Sequence, residues 1–146
     1  MIRFVLAALV ALAFAAPAAA QSLEQMAGQM IIVGFKGDDA SDASVKALAA
    51  EFAAGTLGGV MYLKPNVKSL GAVKAMNAAF RKAAGDLPPF LTLDQEGGSV
   101  ERLTADVGFE EVPNAATIAK SDTPAETEAV YAGMAKDVAA VGFSVN

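Results

Sequence analysis

The sequence predicts an α/β protein built around a parallel β-sheet. Short runs of β-forming residues alternate with segments of helical period, in the order strand, helix, strand, helix, strand, helix, strand. The first run has a continuous apolar centre, which is typical of a strand buried on both faces. Polar residues cluster directly after the third run, at the position where parallel α/β folds bind their ligands.

Residues 1–20 have the pattern of a secretory signal peptide. Arg3 supplies a positive charge, residues 4–16 are apolar, and small residues form an A-x-A-like cleavage site before Gln21. A membrane anchor is the alternative, but the apolar run is shorter than the ~20 residues that a spanning helix needs. We therefore expect a secreted protein, periplasmic or extracellular in a bacterial source, without a stable membrane anchor.

The composition excludes several classes of chemistry. The chain contains no cysteine and no histidine, so it forms no disulfide, thiolate metal site or Ser-His-Asp triad, and it offers no histidine ligand for a catalytic zinc ion. Its formal charge is −5, and it becomes −6 once Arg3 is removed with the signal peptide. An acidic chain of this kind is a poor partner for nucleic acid or for an anionic membrane.

The chain before the site supplies two strands and three helices. Ser22 is a predicted N-cap, Gly55 and Gly85 mark helix ends, and Ser69 caps the helix before the third strand. The predicted elements are helix 23–27, strand 29–35, helix 42–53, strand 58–63 and helix 70–84. Lys64 follows the second strand, where it is either a ligand contact or a solvated loop charge.

The third strand, residues 90–93, leads into the most polar segment of the chain. Asp94, Glu96 and Arg102 follow it, with Gly97 and Gly98 allowing the backbone to turn. One interpretation is a polar turn in which the arginine neutralises the carboxylates. The other treats the two carboxylates as a retaining glycosidase pair, since strand spacing separates their Cα atoms by roughly 6–7 Å and permits carboxyl groups at ~5–5.5 Å.

The last third of the sequence continues the same alternation. Residues 104–120 are predicted as a long loop with one helical turn near Ala115, and residues 124–141 as a helix capped by Ser121 or Thr123. Residues 142–145 then begin a fourth strand. Because that strand has no following helix to cover it, we expect further polypeptide downstream. The roughly 126 residues after the signal peptide suffice for one domain, but a complete (β/α)₈ barrel needs about 250.

Four segments together resemble the N-terminal barrel domain of glycoside hydrolase family 3. They are Gln-Met-Ile-Ile-Val-Gly-Phe at 29–35, Gly-Gly-Val-Met-Tyr-Leu at 58–63, Leu-Asp-Gln-Glu-Gly-Gly-Ser-Val-Glu-Arg-Leu at 93–103 and Val-Gly-Phe-Ser-Val-Asn at 141–146. The Asp-Gln-Glu-Gly-Gly segment is most similar to the β-N-acetylhexosaminidase branch. The likeness covers nearly all of residues 21–146, in order and at the right spacing.

The resemblance implies a fold, an activity and two binding residues. The fold is a (β/α)₈ TIM-barrel type with about four of its strands in this chain. The activity is removal of terminal β-linked N-acetylglucosamine from peptidoglycan- or chitin-derived sugars by a retaining mechanism, without a cofactor or metal. Asp94 corresponds to the aspartate that holds sugar hydroxyls and Arg102 to an arginine of the same wall, whereas Glu96 is expected to shape the loop.

The sequence also departs from the family pattern. Ser99 stands where the family usually has arginine, and the segments that correspond to the Lys-His motif, the Asp-His acid/base pair and the nucleophilic aspartate are absent from residues 1–146. The expected fragment therefore carries binding residues and no catalytic residue. The alternatives are a non-catalytic secreted glycan-binding or vestigial half-barrel, and a β-glucosidase of the same family.

Overall fold

The computed structural model describes residues 21–146, so the predicted signal peptide at 1–20 lies outside the described residues. Short 3₁₀ turns cover Lys64–Asn66 and Ala105–Val107. The main elements are α1 (Leu23–Gly28), β1 (Ile32–Gly34), α2 (Ala43–Ala54), β2 (Gly59–Tyr62), α3 (Leu70–Ala84), β3 (Phe90–Leu93), α4 (Ala115–Ser121) and α5 (Pro124–Ala140). None of the helices within 21–146 is long and apolar enough to cross a membrane.

The three strands form a parallel sheet in the order β1-β2-β3, as the alternating pattern predicts. Ile32 pairs with Gly59, and Gly59 pairs in turn with Phe90. Each strand therefore lies beside the next one in the sequence, and the carboxyl ends of all three strands share one edge. The α/β class is confirmed.

The predicted fourth strand is wrong in extent, because residues 142–145 make only a single bridge, from Val145 to Thr92. The Oγ of Ser144 accepts the backbone N–H of Leu91 at 2.9 Å. The backbone N–H groups of Ser144 and Val145 also donate to the Leu91 carbonyl, at 2.9 and 3.3 Å. Backbone pairing therefore begins here, but the serine hydroxyl takes the place of the carbonyl that a continuous ladder would offer to the Leu91 N–H. The segment still lies beside β3 and is parallel to it at that bridge.

One face of the sheet packs against the helices and forms the core. Val60 and Tyr62 of β2 and Leu91 and Leu93 of β3 are buried there. Helices α2 and α3 supply Val45, Phe52, Val73, Met76 and Phe80, and α5 supplies Met134 and Val138. Alternate residues of β2 and β3 therefore face this core, together with one side of each helix.

The opposite face of the sheet is only partly covered among the described residues. Phe90 is 50% exposed and Ile32 is 46% exposed. A Cβ added to Gly59 would lie 2.7 Å from the Phe90 Cβ and 3.1 Å from the Ile32 Cγ1, so both side chains lie over that glycine. The prediction that the first strand is buried on both faces is wrong, because no element among the described residues covers the face of β1 that carries Ile32.

The predicted helix boundaries are confirmed to within one or two residues. The hydroxyl groups of Ser22, Ser69 and Thr123 each accept a backbone N–H in the first turn of the following helix. Gly55 ends α2 with a left-handed φ of 74°, a conformation that glycine adopts without steric cost. The long loop contains α4 at Ala115–Ser121, which is longer than the predicted single turn.

Candidate functional site

The candidate site begins where β3 ends. The strand stops at Leu93, so Asp94 follows it at the carboxyl edge of the sheet. The backbone N–H of Glu96 donates to the Val100 carbonyl at 2.9 Å, and Gly97 bridges to Val100. Residues 96–100 therefore form a tight reversal directly after Gln95. Asp94 is paired with Arg102 and Glu96 is exposed, so the two carboxylates have different surroundings. The interpretation of the two as a catalytic pair stays a prediction.

Two glycines allow this reversal to pack closely against the segment 112–114. Gly97 has a φ of +89°, and a Cβ there would lie 2.5 Å from the Pro113 carbonyl oxygen. Gly98 has a φ of +64°, and its N–H donates to the Val112 carbonyl at 2.8 Å. Both positions need glycine because the backbone conformation and the space exclude a side chain. The site loop is thus fixed against the long loop that follows it.

The two predicted binding residues meet in an ion pair. The Nη2 of Arg102 lies 2.7 Å from the Oδ2 of Asp94, and their side chains are 19% and 43% exposed, respectively. The pair uses one carboxylate oxygen and one terminal guanidinium nitrogen. Within residues 21–146, no hydrogen bond joins Asp94 Oδ1 to another group, so this oxygen remains for a hydroxyl donor. The pair is therefore equipped to bind a polyhydroxylated ligand.

Sequence reasoning missed Gln95, which lies between the loop and the core with no exposed surface. Its Oε1 accepts the backbone N–H groups of Arg102 and Leu103, both at 3.0 Å. Its Nε2 donates to the Leu103 carbonyl at 2.9 Å. A glutamine between two acidic residues is typical of an exposed turn, so the local sequence did not indicate that Gln95 is buried.

Asn146 holds the other side of Gln95. The Asn146 Oδ1 accepts the Gln95 N–H at 2.7 Å, and the Asn146 Nδ2 donates to the Gln95 carbonyl at 2.8 Å. The side-chain amide therefore pairs with the backbone as a neighbouring strand would. These residues are 51 positions apart, so no local pattern in the sequence predicts the contact.

An open concavity of about 440 Å³ adjoins this loop. Asp94, Gln95 and Glu96 border it on one side, and Tyr131 and Met134 of α5 border it on another. Glu96 is exposed at its rim. Within residues 21–146, no group of three or more acidic, histidine or cysteine side chains is arranged to hold a metal ion. The arrangement offers hydrogen-bonding groups beside a partly apolar wall.

Two other polar residues considered in the sequence, Lys64 and Ser99, lie outside the ion pair. Lys64 donates from Nζ to Thr104 Oγ1 at 2.8 Å and is exposed, which agrees with its interpretation as a loop charge. Ser99 is exposed on the reversal. The structure thus brings Asp94 and Arg102 together and leaves Lys64 and Ser99 on the surface.

No protein-family model matches the chain, and no curated protein matches it. Several solved structures, however, are similar to it. A glycoside hydrolase family 3 β-N-acetylglucosaminidase from Paenibacillus sp. str. FPU-7 is 31% identical, with a TM-score of 0.54, over 65% of this chain and 18% of that one.

Two further structures share the fold. A fungal multi-domain family 3 β-N-acetylglucosaminidase is 20% identical, with a TM-score of 0.72, over 86% of this chain and 15% of that one. NagZ from Neisseria gonorrhoeae, in complex with N-trifluoroacetyl-D-glucosamine, is 18% identical, with a TM-score of 0.60, over 77% of this chain and 33% of that one.

The fold and the site define a parallel α/β unit with a carboxylate–guanidinium pair at the carboxyl edge of its sheet. The resemblance to glycoside hydrolase family 3 β-N-acetylglucosaminidases is confirmed by the structural comparison. The chain spans a third or less of the length of each of these three relatives.

Proposed function

We propose that this chain is the N-terminal part of a secreted β-N-acetylhexosaminidase-like glycoside hydrolase of family 3. In this proposal residues 1–20 direct secretion to the periplasm or the exterior, and residues 21–146 begin a (β/α)₈ barrel. The complete enzyme removes terminal β-linked N-acetylglucosamine from peptidoglycan- or chitin-derived sugars by a retaining mechanism. Asp94 and Arg102 bind the terminal sugar.

The observation that carries the proposal is the ion pair at the edge of the sheet. Asp94 and Arg102 meet at 2.7 Å directly after β3, in a fold shared with β-N-acetylglucosaminidases. Ligands of barrel enzymes bind at the carboxyl ends of the strands. A carboxylate accepts sugar hydroxyls, and a guanidinium donates several hydrogen bonds in a fixed geometry.

The partly exposed face of the sheet supports the proposed barrel fold. Ile32 and Phe90 are half exposed on the face opposite the helices. In a closed barrel this face becomes the packed interior, filled by side chains from alternate strands. Among residues 21–146, no strand pairs with the outer edge of β1, and the bridge at Val145 begins pairing on the other side of the sheet. Further parallel strands added at these two edges would close the barrel and cover the apolar side chains.

The proposal assigns the catalytic steps to polypeptide outside these residues. The family's acid/base pair includes a histidine, and this chain has none. Without a general acid, binding of the sugar by Asp94 and Arg102 does not lead to cleavage. A non-catalytic glycan-binding role for the chain rests on the same ion pair, and a β-glucosidase would use the same wall with a different hydroxyl pattern.

The direct test is a titration of the ¹⁵N-labelled chain with N-acetylglucosamine, followed by NMR, with glucose as a comparison. We expect shifts of the Asp94 and Arg102 signals that disappear in Asp94→Ala and Arg102→Ala. Asp86→Ala and Lys82→Ala are the control variants, because both residues are exposed and lie outside the site loop. Retained binding in the two site variants would overturn the assignment of the sugar wall.

Two further measurements separate the enzyme from the glycan-binding alternative. The chain alone is expected to leave an aryl N-acetyl-β-glucosaminide intact, and hydrolysis abolished by Asp94→Ala would contradict the assignment of catalysis elsewhere. The intact mass of the protein secreted by its native cell is expected to exceed twice that of residues 21–146. A mass equal to that of residues 21–146 would favour the glycan-binding or vestigial role.

A further inference from the structure

We propose that Gln95 is a positioning residue that fixes the geometry of the Asp94–Arg102 ion pair. Its backbone is joined to Asp94 by a peptide bond, and its buried side-chain amide holds the backbone of Arg102 and Leu103. Asn146 contributes by holding the Gln95 backbone in place. This inference rests on the proposed sugar-binding role of the pair, which it extends to two residues that do not contact the carboxylate or the guanidinium.

The side chain of Gln95 ties the far end of the loop to its beginning. It is fully buried, and it makes three hydrogen bonds to the backbone of Arg102 and Leu103, between 2.9 and 3.0 Å. An amide supplies both the acceptor and the donor that this backbone segment requires. At neutral pH a glutamate of similar size only accepts hydrogen bonds and a lysine only donates them.

The backbone of Gln95 is fixed from the opposite side. Asn146 pairs with both its N–H and its carbonyl, at 2.7 and 2.8 Å. Because Asp94 precedes Gln95 by one peptide bond, this pairing also limits the movement of the carboxylate. The eight-residue separation between Asp94 and Arg102 is thus closed at the backbone as well as at the ion pair.

The ion pair alone is a weak restraint on the guanidinium. The Asp94 side chain is 43% exposed, and exposed ion pairs are screened and contribute little. The Arg102 Nε is buried without a hydrogen-bond partner within residues 21–146, so that end of the guanidinium is not held by a polar contact. The orientation of Arg102 therefore depends on where its backbone is held, and Gln95 holds it.

The sharpest variant is Gln95→Glu, which keeps the shape and changes one group. At pH 8 the carboxylate still accepts the two N–H groups, but its other oxygen faces the Leu103 carbonyl, and the two acceptors repel. Burial raises the pKa of a carboxyl group. On acidification the protonated acid donates to that carbonyl and restores the original pattern.

We expect Gln95→Glu to bind N-acetylglucosamine about tenfold or more weakly than the unaltered chain at pH 8. Its affinity should recover towards that of the unaltered chain as the pH falls to 5. The groups around position 95 that also carry charge are Asp94, Glu96, Glu101 and Arg102. They are common to both proteins, so the ratio of the two affinities isolates position 95.

Asn66→Asp is the matched control. Asn66 is also a buried amide with three backbone hydrogen bonds, to Phe35, Gly37 and Leu63. The same amide-to-acid change there lowers stability but leaves the Asp94 loop intact. We expect the folded fraction of this variant to bind the sugar with unchanged affinity. An equal, pH-reversible loss in both variants would reduce the role of Gln95 to general stability and overturn the proposal.

A second readout does not depend on the sugar. The buried Arg102 Nε–H should exchange with water more slowly in the unaltered chain than in Gln95→Glu when both are measured at pH 8. The ratio of the two exchange rates should approach one at pH 5, and this ratio cancels the ordinary slowing of exchange by acid. If Gln95→Glu fails to fold, Asn146→Ala at the exposed C-terminal residue tests the same proposal. We expect faster exchange of the Arg102 Nε–H in this variant than in the unaltered chain at pH 8. An unchanged exchange rate and affinity would contradict the proposal. If Asp94→Ala binds the sugar normally while the exchange of the Arg102 Nε–H still depends on Gln95, the sugar assignment fails and the positioning role stands.

Discussion

The guanidinium of Arg102 and the carboxylate of Asp94 are joined at 2.7 Å across a loop that reverses between them. The pair lies at the carboxyl edge of a parallel sheet, and neither side chain is fully buried. We therefore expect its contribution to stability to be small, whereas the proposed sugar binding depends on it directly. Substitutions in the pair should separate these two properties.

Asp94→Asn should leave the fold almost unchanged and weaken sugar binding. A partly exposed ion pair contributes about 0–1 kcal/mol, so the free energy of unfolding should fall by less than about 1 kcal/mol. Loss of the charged acceptor should lower the affinity for N-acetylglucosamine about tenfold or more. Urea unfolding and sugar titration measure the two effects, with Asp86→Asn as the control. A larger loss of stability would mean that the pair is mainly structural.

Gly97→Ala should be strongly destabilising. Its φ of +89° disfavours a side chain, and the new Cβ would lie 2.5 Å from the Pro113 carbonyl oxygen. We expect a loss of about 2–4 kcal/mol, measured by urea unfolding. Gly133→Ala in α5 is the control, because a Cβ there meets no atom within 4 Å, and it should stabilise the helix by about 0.5–1 kcal/mol. Similar effects of both substitutions would contradict the tight packing of the loop.

Tyr62→Phe should be neutral or stabilising by about 1 kcal/mol. The Tyr62 hydroxyl is buried and has no hydrogen-bond partner among the described residues, so its removal leaves no acceptor unpaired. Its ring still packs edge-on against Phe35 and Phe143, each with centroids 4.9 Å apart. Thermal unfolding tests this expectation, with Tyr131→Phe on α5 as the comparison. A marked loss of stability would indicate a bonded hydroxyl.

The same residue should make stability depend on alkaline pH. Burial raises the pKa of Tyr62 above its ordinary value of 10.0. The unfolded chain therefore ionises first, and the stability linked to this group is present below pH 10 and is lost as the pH rises further. Tyr62→Phe should remove that part of the loss between pH 10 and 12. An identical alkaline profile in both proteins would contradict the buried environment.

Glu126 should contribute to stability at neutral pH through the first turn of α5. Its carboxylate accepts the backbone N–H and the hydroxyl of Thr123, which lower the pKa of Glu126 from 4.5. A lowered folded-state pKa stabilises the fold above the unfolded value, and that contribution is lost as the pH falls below about 4.5. The difference in unfolding free energy between the unaltered chain and Glu126→Gln should thus shrink from pH 6 to pH 3. Glu128→Gln, outside the cap, should show less change.

Local chemistry made much of the fold predictable. The helix starts at Ser22, Ser69 and Thr123 follow from side chains that bond the first turn, and the end of α2 follows from Gly55. These signals act within a few residues, so the sequence displays them directly. The alternation of strands and helices and the polar segment after β3 were likewise visible.

Contacts between distant segments decided the rest. The sequence by itself determined the first three strands, the helices between them and the position of Asp94 and Arg102 after a strand. Only the tertiary structure placed Gln95 in the interior, paired it with Asn146 and exposed one face of β1. These features depend on which distant segments pack together. A contact between residues 51 positions apart produces no periodic pattern in the sequence, so it cannot be predicted from such a pattern.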